Sequence, residues 1–270
     1  MIDVKPTVLD LFCGCGGLSL GFIQAGYRII AGIDTWQDAL DTFAFNHIDA
    51  KAIQADLFHI SPQEIKQQYD INHIDVIIGG PPCQGFSIAG KRMIDDERNQ
   101  LYKSFVEFVA LYQPKVFLME NVPNIISMGK GSIKEQIIQD FEALGYTINY
   151  KVLLAADFGV PQNRKRAFFV GLKNGQLFDF PKPLLSQVIT CQEAISDLSE
   201  SSLENGADYM IEPQSHFQAL MRKNSKGVYQ HQITEHKEKT INTIALVPDG
   251  GNYKDLPLEL QDTRKVNIAW

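Results

Sequence analysis

Seven short apolar runs punctuate the first two thirds of the chain. They are Thr7–Phe12, Arg28–Ile33, Ala52–Gln54, Ile74–Ile78, Lys115–Glu120, Thr147–Leu154 and Ala167–Gly171, all of strand length. Helical signals fall between most of them. Ser61-Pro62-Gln63-Glu64 is a capping box with proline at the first helical position. Ser132-Ile133-Lys134-Glu135 reads as a second box. It leads into a stripe of Ile133, Ile137, Ile138, Phe141 and Leu144, closed by Gly145. That stripe is a core face. Repeated strand–helix units predict an α/β fold: a doubly wound, mostly parallel sheet, Rossmann-like in outline.

The pattern changes after about Phe180. Pro181, Pro183 and mixed polar sequence replace the regular alternation, Ser199–Gly206 reads as a surface loop, and Asp249-Gly250-Gly251-Asn252 is a strong turn signal. We expect a first domain over residues 1–180 and a smaller, irregular one over 181–270. The last three residues, Ile268-Ala269-Trp270, include two apolar ones, a poorly solvated end. It reads as a fragment, or as a subunit completed by a second chain.

Composition narrows the class. With 44% apolar residues in 270, the chain can bury a substantial core. No apolar stretch reaches the roughly 18 residues of a membrane span, and Met1–Pro6 has no apolar signal region. The expectation is a soluble, cytoplasmic protein. Cys13, Cys15, Cys83 and Cys191 fit neither a disulfide framework nor a zinc site, since Cys13 and Cys15 are separated by one residue only. No metal is expected. The net charge of −7 taken alone argues against nucleic acid, yet basic residues cluster at Lys91-Arg92, at Arg164-Lys165-Arg166 and from Arg222 to Lys239.

The most telling chemistry follows the Ile74–Ile78 run. Gly79-Gly80 ends the strand, and Pro81-Pro82 stiffen the turn that presents Cys83. In an open α/β sheet the carboxyl ends of strands are where ligands bind, and a nucleophile profits from a rigid, exposed perch there. Glu120 ends another strand and aims at the same crevice. Arg164 and Arg166, beside Gln162, offer planar guanidinium donors nearby. Thiolate, carboxylate and guanidinium together suit attack on an electrophilic, hydrogen-bonding ring.

A second cluster reads as a cofactor site. Asp10–Gly17 closes the first strand on a glycine-rich turn, with Phe12, Gly14, Gly16 and Gly17 at the helix entrance. Asp34 ends the second strand, where an acid bonds a ribose, and Asp56 follows the third, where an acid can receive an adenine amino group. The turn lacks both the dinucleotide fingerprint and the Gly-Lys-Ser/Thr of a P-loop. An adenosine without pyrophosphate, such as S-adenosylmethionine, fits better.

These blocks together resemble the DNA cytosine-C5 methyltransferases of bacterial restriction-modification systems. Five match in order: Asp10–Gly17; Gly79 through Ser87; Gly90-Lys91-Arg92 with Asp96, Arg98 and Leu101; Glu120-Asn121-Val122; and Gln162-x-Arg164-x-Arg166. The resemblance implies that the Cys83 thiolate adds to C6 of a flipped-out cytosine. Glu120 then holds a proton at N3 and Arg166, with Arg164 beside it, holds the carbonyl oxygen. C5 takes the methyl group, S-adenosyl-L-homocysteine is released, and loss of the C5 proton expels the cysteine. It further implies cofactor contacts from Phe12, Gly14, Gly16, Gly17, Asp34, Thr35, Trp36, Asp56, Leu57, Pro82 and Leu101. Contacts to double-stranded DNA are implied for Gln84, Ser87, Lys91, Arg92 and Gln162. The family often stacks an aromatic on adenine just after the ribose acid; here Thr35 comes first and Trp36 second. Two later blocks that return to the catalytic domain are not found before Trp270. Two rival readings share the motifs: an RNA cytosine-C5 methyltransferase, and a non-catalytic DNA-binding subunit. Intact Cys83, Glu120 and Arg166 argue against the second.

Overall fold

The computed structural model describes residues 5–82, 100–183 and 188–261. The chain forms two compact units, Met1–Val188 and Ile189–Trp270. The first is built on seven strands: β1 (Thr7–Leu11), β2 (Arg28–Asp34), β3 (Lys51–Gln54), β4 (Val76–Gly79), β5 (Val116–Asn121), β6 (Thr147–Leu154) and β7 (Lys165–Leu172). They form one sheet in the order β3-β2-β1-β4-β5-β7-β6. β1 to β5 are parallel to one another, and β7 alone runs antiparallel to both of its neighbours. The reason is local. Residues 155–164 join β6 to β7 with only a short 3-10 turn, Ala155–Phe158, and a parallel crossover needs about a dozen residues or more.

Among the described residues, five helices cover the sheet: α1 (Gly17–Gln24), α2 (Gln37–Asn46), α3 (Pro62–Gln68), α4 (Gln100–Tyr112) and α5 (Ser132–Ala143). Alternate strand residues sort into two cores. Val8, Ile29, Val76 and Ile78 pack with Leu40 and Phe43 of α2 and with Leu18 and Phe22 of α1. Leu9, Leu11, Ile33 and Ile77 face α3, α4 and α5 through Ile65, Phe105, Phe108, Ile137 and Phe141. Every residue of β1 is buried, as expected of a central strand covered on both faces. Phe117 of β5 stacks on Phe141 of α5 at 4.0 Å, so the Ile133–Leu144 stripe is core.

Helix starts follow local chemistry in one case and backbone geometry in another. The Ser61 box forms: its hydroxyl accepts from the Glu64 N–H, and Glu64 accepts from the Ser61 N–H at 2.8 Å. The expected Ser132 box does not. Ser132 is already helical, and the cap is Gly131 at φ 93° with no side-chain bond. Gly129 and Lys130 also sit at positive φ, so a left-handed backbone run delivers the chain into α5 with Ser132 one position past the cap.

The second unit is short on apolar core. Its helices are α6 (Cys191–Ile195), α7 (His216–Arg222), α8 (Glu238–Ile244) and α9 (Leu258–Gln261). Buried Gln218 donates to Gln192 and Ser196 and accepts from the Gln214 N–H. The Arg222 guanidinium lies 3.8 Å from the Tyr209 ring centroid and pairs with buried Asp197. Arg222 therefore belongs to the interior of this unit, whereas Lys223, Lys226, Lys237 and Lys239 are exposed. Among the described residues no helix is long and apolar enough to cross a membrane.

At the amino end of the sheet, Asp75 joins three strands. One carboxylate oxygen accepts from both the N–H and the hydroxyl of Thr7, each at 2.9 Å, and the other from Lys115 at 2.9 Å. The Thr7 backbone bond, then Lys115, hold its carboxyl well below the usual range. A depressed carboxyl stabilises above its ordinary pKa and loses that contribution as pH falls. Asp75→Ala should cost about 2 kcal/mol at neutral pH by denaturant unfolding. The difference from wild type should shrink in acid; a constant difference would refute the assignment.

Candidate functional site

A cavity of about 820 Å³ opens where β1, β4 and β5 end and β7 begins. It lies beside the β1–β4 switch in strand order, where open α/β sheets place ligands. Asp10, Phe12, Gly17, Gly80, Glu120, Arg164 and Arg166 line it, with an apolar wall from Leu153, Phe158, Val160 and Phe168.

The antiparallel pairing of β5 with β7 sets the polar centre. Asn121 lies opposite Ala167, which leaves Arg166 one step past the end of β5. Its Nε reaches Glu120 Oε1 at 2.7 Å, and its Nη1 donates to the Lys165 carbonyl at 2.8 Å. Both side chains are about a quarter exposed (24% and 27%), enough shelter for a charge-assisted bond to hold its geometry. Glu120 Oε2 faces Gly80, where a Cβ would lie 3.0 Å away. The neighbouring Asn121 amide donates to the Pro81 carbonyl at 2.9 Å and accepts from the Val122 N–H at 2.8 Å. It fastens the turn after β4 to the end of β5. Pro81 is buried and Pro82 exposed. Cys83, Gln84, Ser87, Lys91 and Arg92 lie outside the described residues. Arg164 is exposed along the cavity rim; Gln162 is exposed and not part of the lining.

The glycine-rich turn is held from several sides. The Cys13 N–H donates to the Ile33 carbonyl at 3.0 Å, and the Gly14 N–H to Asp34 Oδ2 at 2.8 Å. The other Asp34 oxygen accepts from the Trp36 N–H at 3.0 Å. Each oxygen keeps a lone pair for another donor. Gly16, at φ 85°, caps α1, and the His47 ring meets its carbonyl at 3.1 Å. Phe12 and Gly17 reach the cavity. Asp34, Thr35, Trp36, Asp56, Leu57, Pro82 and Leu101 do not line it. Asp34 and Asp56 stand on neighbouring strand exits, linked by the bond from Ala55 N–H to the Asp34 carbonyl at 3.0 Å. Thr35, Trp36 and Asp56 are exposed. Leu57 is buried, and Ser104 of α4 donates to its carbonyl at 2.6 Å. Leu101 is half-buried in the first turn of α4.

Sequence reasoning placed Asp10 in the turn block without a role of its own. Asp10, 1% exposed, lies in the cavity wall and accepts a 2.6 Å bond from Ser19. Burial pushes its carboxyl up to about 7, against the Ser19 bonds, and Asp34 raises it further. The available signal was a carboxylate inside the apolar run Thr7–Phe12. A raised carboxyl favours folding least when ionised, so stability should fall between its ordinary value of 3.8 and about 7. Asp10→Asn should remove that part of the slope. Parallel melting temperatures of both proteins from pH 4 to 7 would contradict the assignment.

The C-5 cytosine-specific DNA methylase family model matches residues 6–265. Type II methyltransferase M.DdeI of Desulfomicrobium norvegicum is 39% identical over 94% of this chain and 63% of its own length. Type II methyltransferase M1.HphI of Haemophilus parahaemolyticus is 37% identical over 96% of this chain and 66% of its own. The chain thus spans just under two thirds of these relatives. Among solved structures, a mutant of Spodoptera frugiperda DNMT2 shares the fold, with a TM-score of 0.57 at 21% identity over 74% of this chain and 61% of that one. Seven strands in this order, the cavity where β1, β4 and β5 end and these matches carry one conclusion: the chain belongs to the C-5 cytosine-specific DNA methylase family.

Proposed function

We propose that this chain carries the catalytic and cofactor-binding part of a DNA (cytosine-5-)-methyltransferase of a restriction-modification system. The observation that carries the reading is the Glu120–Arg166 pair, set beside the Pro81 turn in one cavity. Residues 1–180 hold the chemistry and 181–270 contribute to target recognition. Exposed Lys223, Lys226, Lys237 and Lys239 suit contact with phosphates.

The residues present fit S-adenosylmethionine. A Cβ at Gly14 or Gly17 would meet nothing within 4 Å, so the turn is open on that side. Asp34 retains free lone pairs for ribose hydroxyls, Asp56 stands on the next strand exit, and Phe12 offers an aromatic face. Thr35, Trp36, Leu57, Pro82 and Leu101 are the further cofactor contacts of this reading, although they lie outside the lining of the cavity. When bound, the cofactor supplies an electrophilic methyl group on a sulfonium.

The protein's own part is to make C5 of cytosine nucleophilic. That atom is inert while the ring is intact and hidden while the base is stacked. The base is therefore drawn out of the duplex into the pocket, and Gln84, Ser87, Lys91, Arg92 and Gln162 hold the DNA. The Cys83 thiolate adds to C6, and the pair of electrons displaced from the C5–C6 bond is held across C5 and N3. Glu120 holds a proton at N3, so anionic charge does not accumulate there. Arg166, oriented by Glu120 and its neighbouring carbonyl, donates to the ring oxygen, with Arg164 at the rim. Once C5 is methylated, loss of its proton restores the double bond and releases Cys83.

Three measurements test this. Duplex DNA with 5-fluorocytosine at the target should form a stable adduct, because fluorine does not leave as a proton does; Cys83→Ser should form none. An adduct with the serine variant would overturn the nucleophile. Glu120→Gln should slow methyl transfer about 10²- to 10⁴-fold, the range of a lost general acid–base group. Titration calorimetry should find S-adenosylmethionine binding that Asp34→Ala weakens; tight NAD binding instead would sink the cofactor assignment.

A further inference from the structure

We infer that His47, which carries none of the chemistry above, is a positioning residue for the cofactor turn, acting through the carbonyl of Gly16. The inference rests on the reading that this turn holds S-adenosylmethionine.

His47 is the C-cap of α2 and is 4% exposed. Its backbone is fixed by its own N–H, which donates to the Phe43 carbonyl at 2.8 Å. Its ring packs at 4.6 Å on Phe43, one helical turn earlier. Phe43 in turn fills the space left by Gly32 of β2, where a Cβ would meet the phenyl ring at 2.4 Å. The ring therefore has one place to go, and there Nε2 lies 3.1 Å from the Gly16 carbonyl oxygen.

A carbonyl only accepts, so Nε2 carries the proton and donates. Nδ1 is buried with no partner. A leucine or phenylalanine would fill this volume without burying an unpaired polar atom. The imidazole offsets that cost only through the Nε2 donor.

What that donor holds is the hinge of the cofactor turn. Gly16 sits at φ 85° and ψ 24° as the N-cap of α1, and its carbonyl also accepts the first helical bond, from Leu20 at 2.9 Å. A Cβ at Gly16 would lie 2.2 Å from His47 Nε2. With His47 in place, position 16 has no room for a side chain. Two residues earlier, Gly14 is held by Asp34, just before the amino end of α2. The α2 segment thus grips the turn at both ends: Asp34 takes an N–H from one side and His47 supplies one from the other. Without the His47 bond the Gly16 carbonyl keeps only the Leu20 bond, and the turn at Gly14–Gly17 is held less firmly in its preset geometry.

The test compares three variants of the protein as its gene encodes it. His47→Leu and His47→Phe remove the donor, the second keeping the ring stack on Phe43. His47→Gln puts an amide nitrogen near the Nε2 position. At a temperature where all are folded, loss of the donor should weaken S-adenosylmethionine binding about three- to tenfold, the weight of one neutral hydrogen bond. KM for the cofactor should rise by the same factor, with kcat at saturation within about twofold of wild type. His47→Gln should recover most of the affinity. Wild-type affinity in His47→Phe, or equal loss in His47→Gln and His47→Phe, would overturn the inference. Hydrogen exchange separates this from the cofactor assignment. In ligand-free protein the amides of residues 16–20 should exchange faster in His47→Phe than in wild type or His47→Gln. If wild type binds no S-adenosylmethionine, the cofactor reading falls while exchange still decides the role of His47; unchanged exchange overturns it.

Discussion

The close approach of β1 and β5 to the end of β4 is the constraint on which the site depends. A Cβ at Gly79 would come within 2.3 Å of the Leu11 carbonyl oxygen, and one at Gly80 within 3.0 Å of Glu120 Oε2. The first contact is with backbone on a fully buried strand and has no way to relax. Two consecutive positions without side chains let three parallel strands end close together. Their carboxyl ends then converge on one crevice instead of splaying. Proline follows at once, because the chain must leave the sheet in a fixed direction, and the Asn121 amide secures that direction by bonding Pro81. Glu120 and Asn121, adjacent on β5, divide the labour: one faces the cavity and the other ties down its floor.

Opposite ends of the sheet are secured by different chemistry. At the amino end, a single carboxylate, Asp75, gathers the starts of β1, β4 and β5 and needs no room for a ligand. At the carboxyl end, the bonds are made by groups that leave one side open. Asp34 takes two backbone amides and keeps lone pairs; Arg166 takes Glu120 and keeps its remaining donors. Stability is concentrated where nothing must bind, and the other end is preset without being saturated.

Much of this was legible in the sequence, for a physical reason. Each of the seven strands lies within two residues of its apolar run; the central ones are almost wholly apolar because they are buried between helix layers, whereas the edge strands β3 and β6 are partly exposed. The direction of β7 was written only in the length and content of the β6–β7 connection. The Ser132 box misled because a capping side chain acts only from the cap position, and three residues at positive φ place Gly131 there. The Glu120–Arg166 contact was foreshadowed as a shared rim, not as a bond, since it depends on antiparallel register. The His47–Gly16 contact had no local signature at all: a histidine after Asn46 shows its partner only once α2 has folded back across the turn. In the second unit, polar residues such as Gln218, Asp197 and Arg222 form the interior, so hydrophobic patterning had little to read. For the same reason Arg222 resembled one more surface cation in a basic run.

Two carboxyl groups share the cavity, and their surroundings set them apart. Glu120 has a guanidinium at 2.7 Å and partial access to solvent. Asp10 has a hydroxyl donor but no cation, and burial lifts its carboxyl to about 7. An ionised Asp10 would add a second carboxylate charge to a cavity that Arg164 and Arg166 also line. Keeping Asp10 partly protonated near neutrality leaves the Glu120–Arg166 pair close to balanced and lowers the negative potential at the rim. Ser19 holds the buried acid in place without ionising it fully. Asp34, nearby, supplies the like charge that helps keep it so. Environment sets the two acids apart: Glu120 is paired with a cation, and Asp10 is buried and partly neutral.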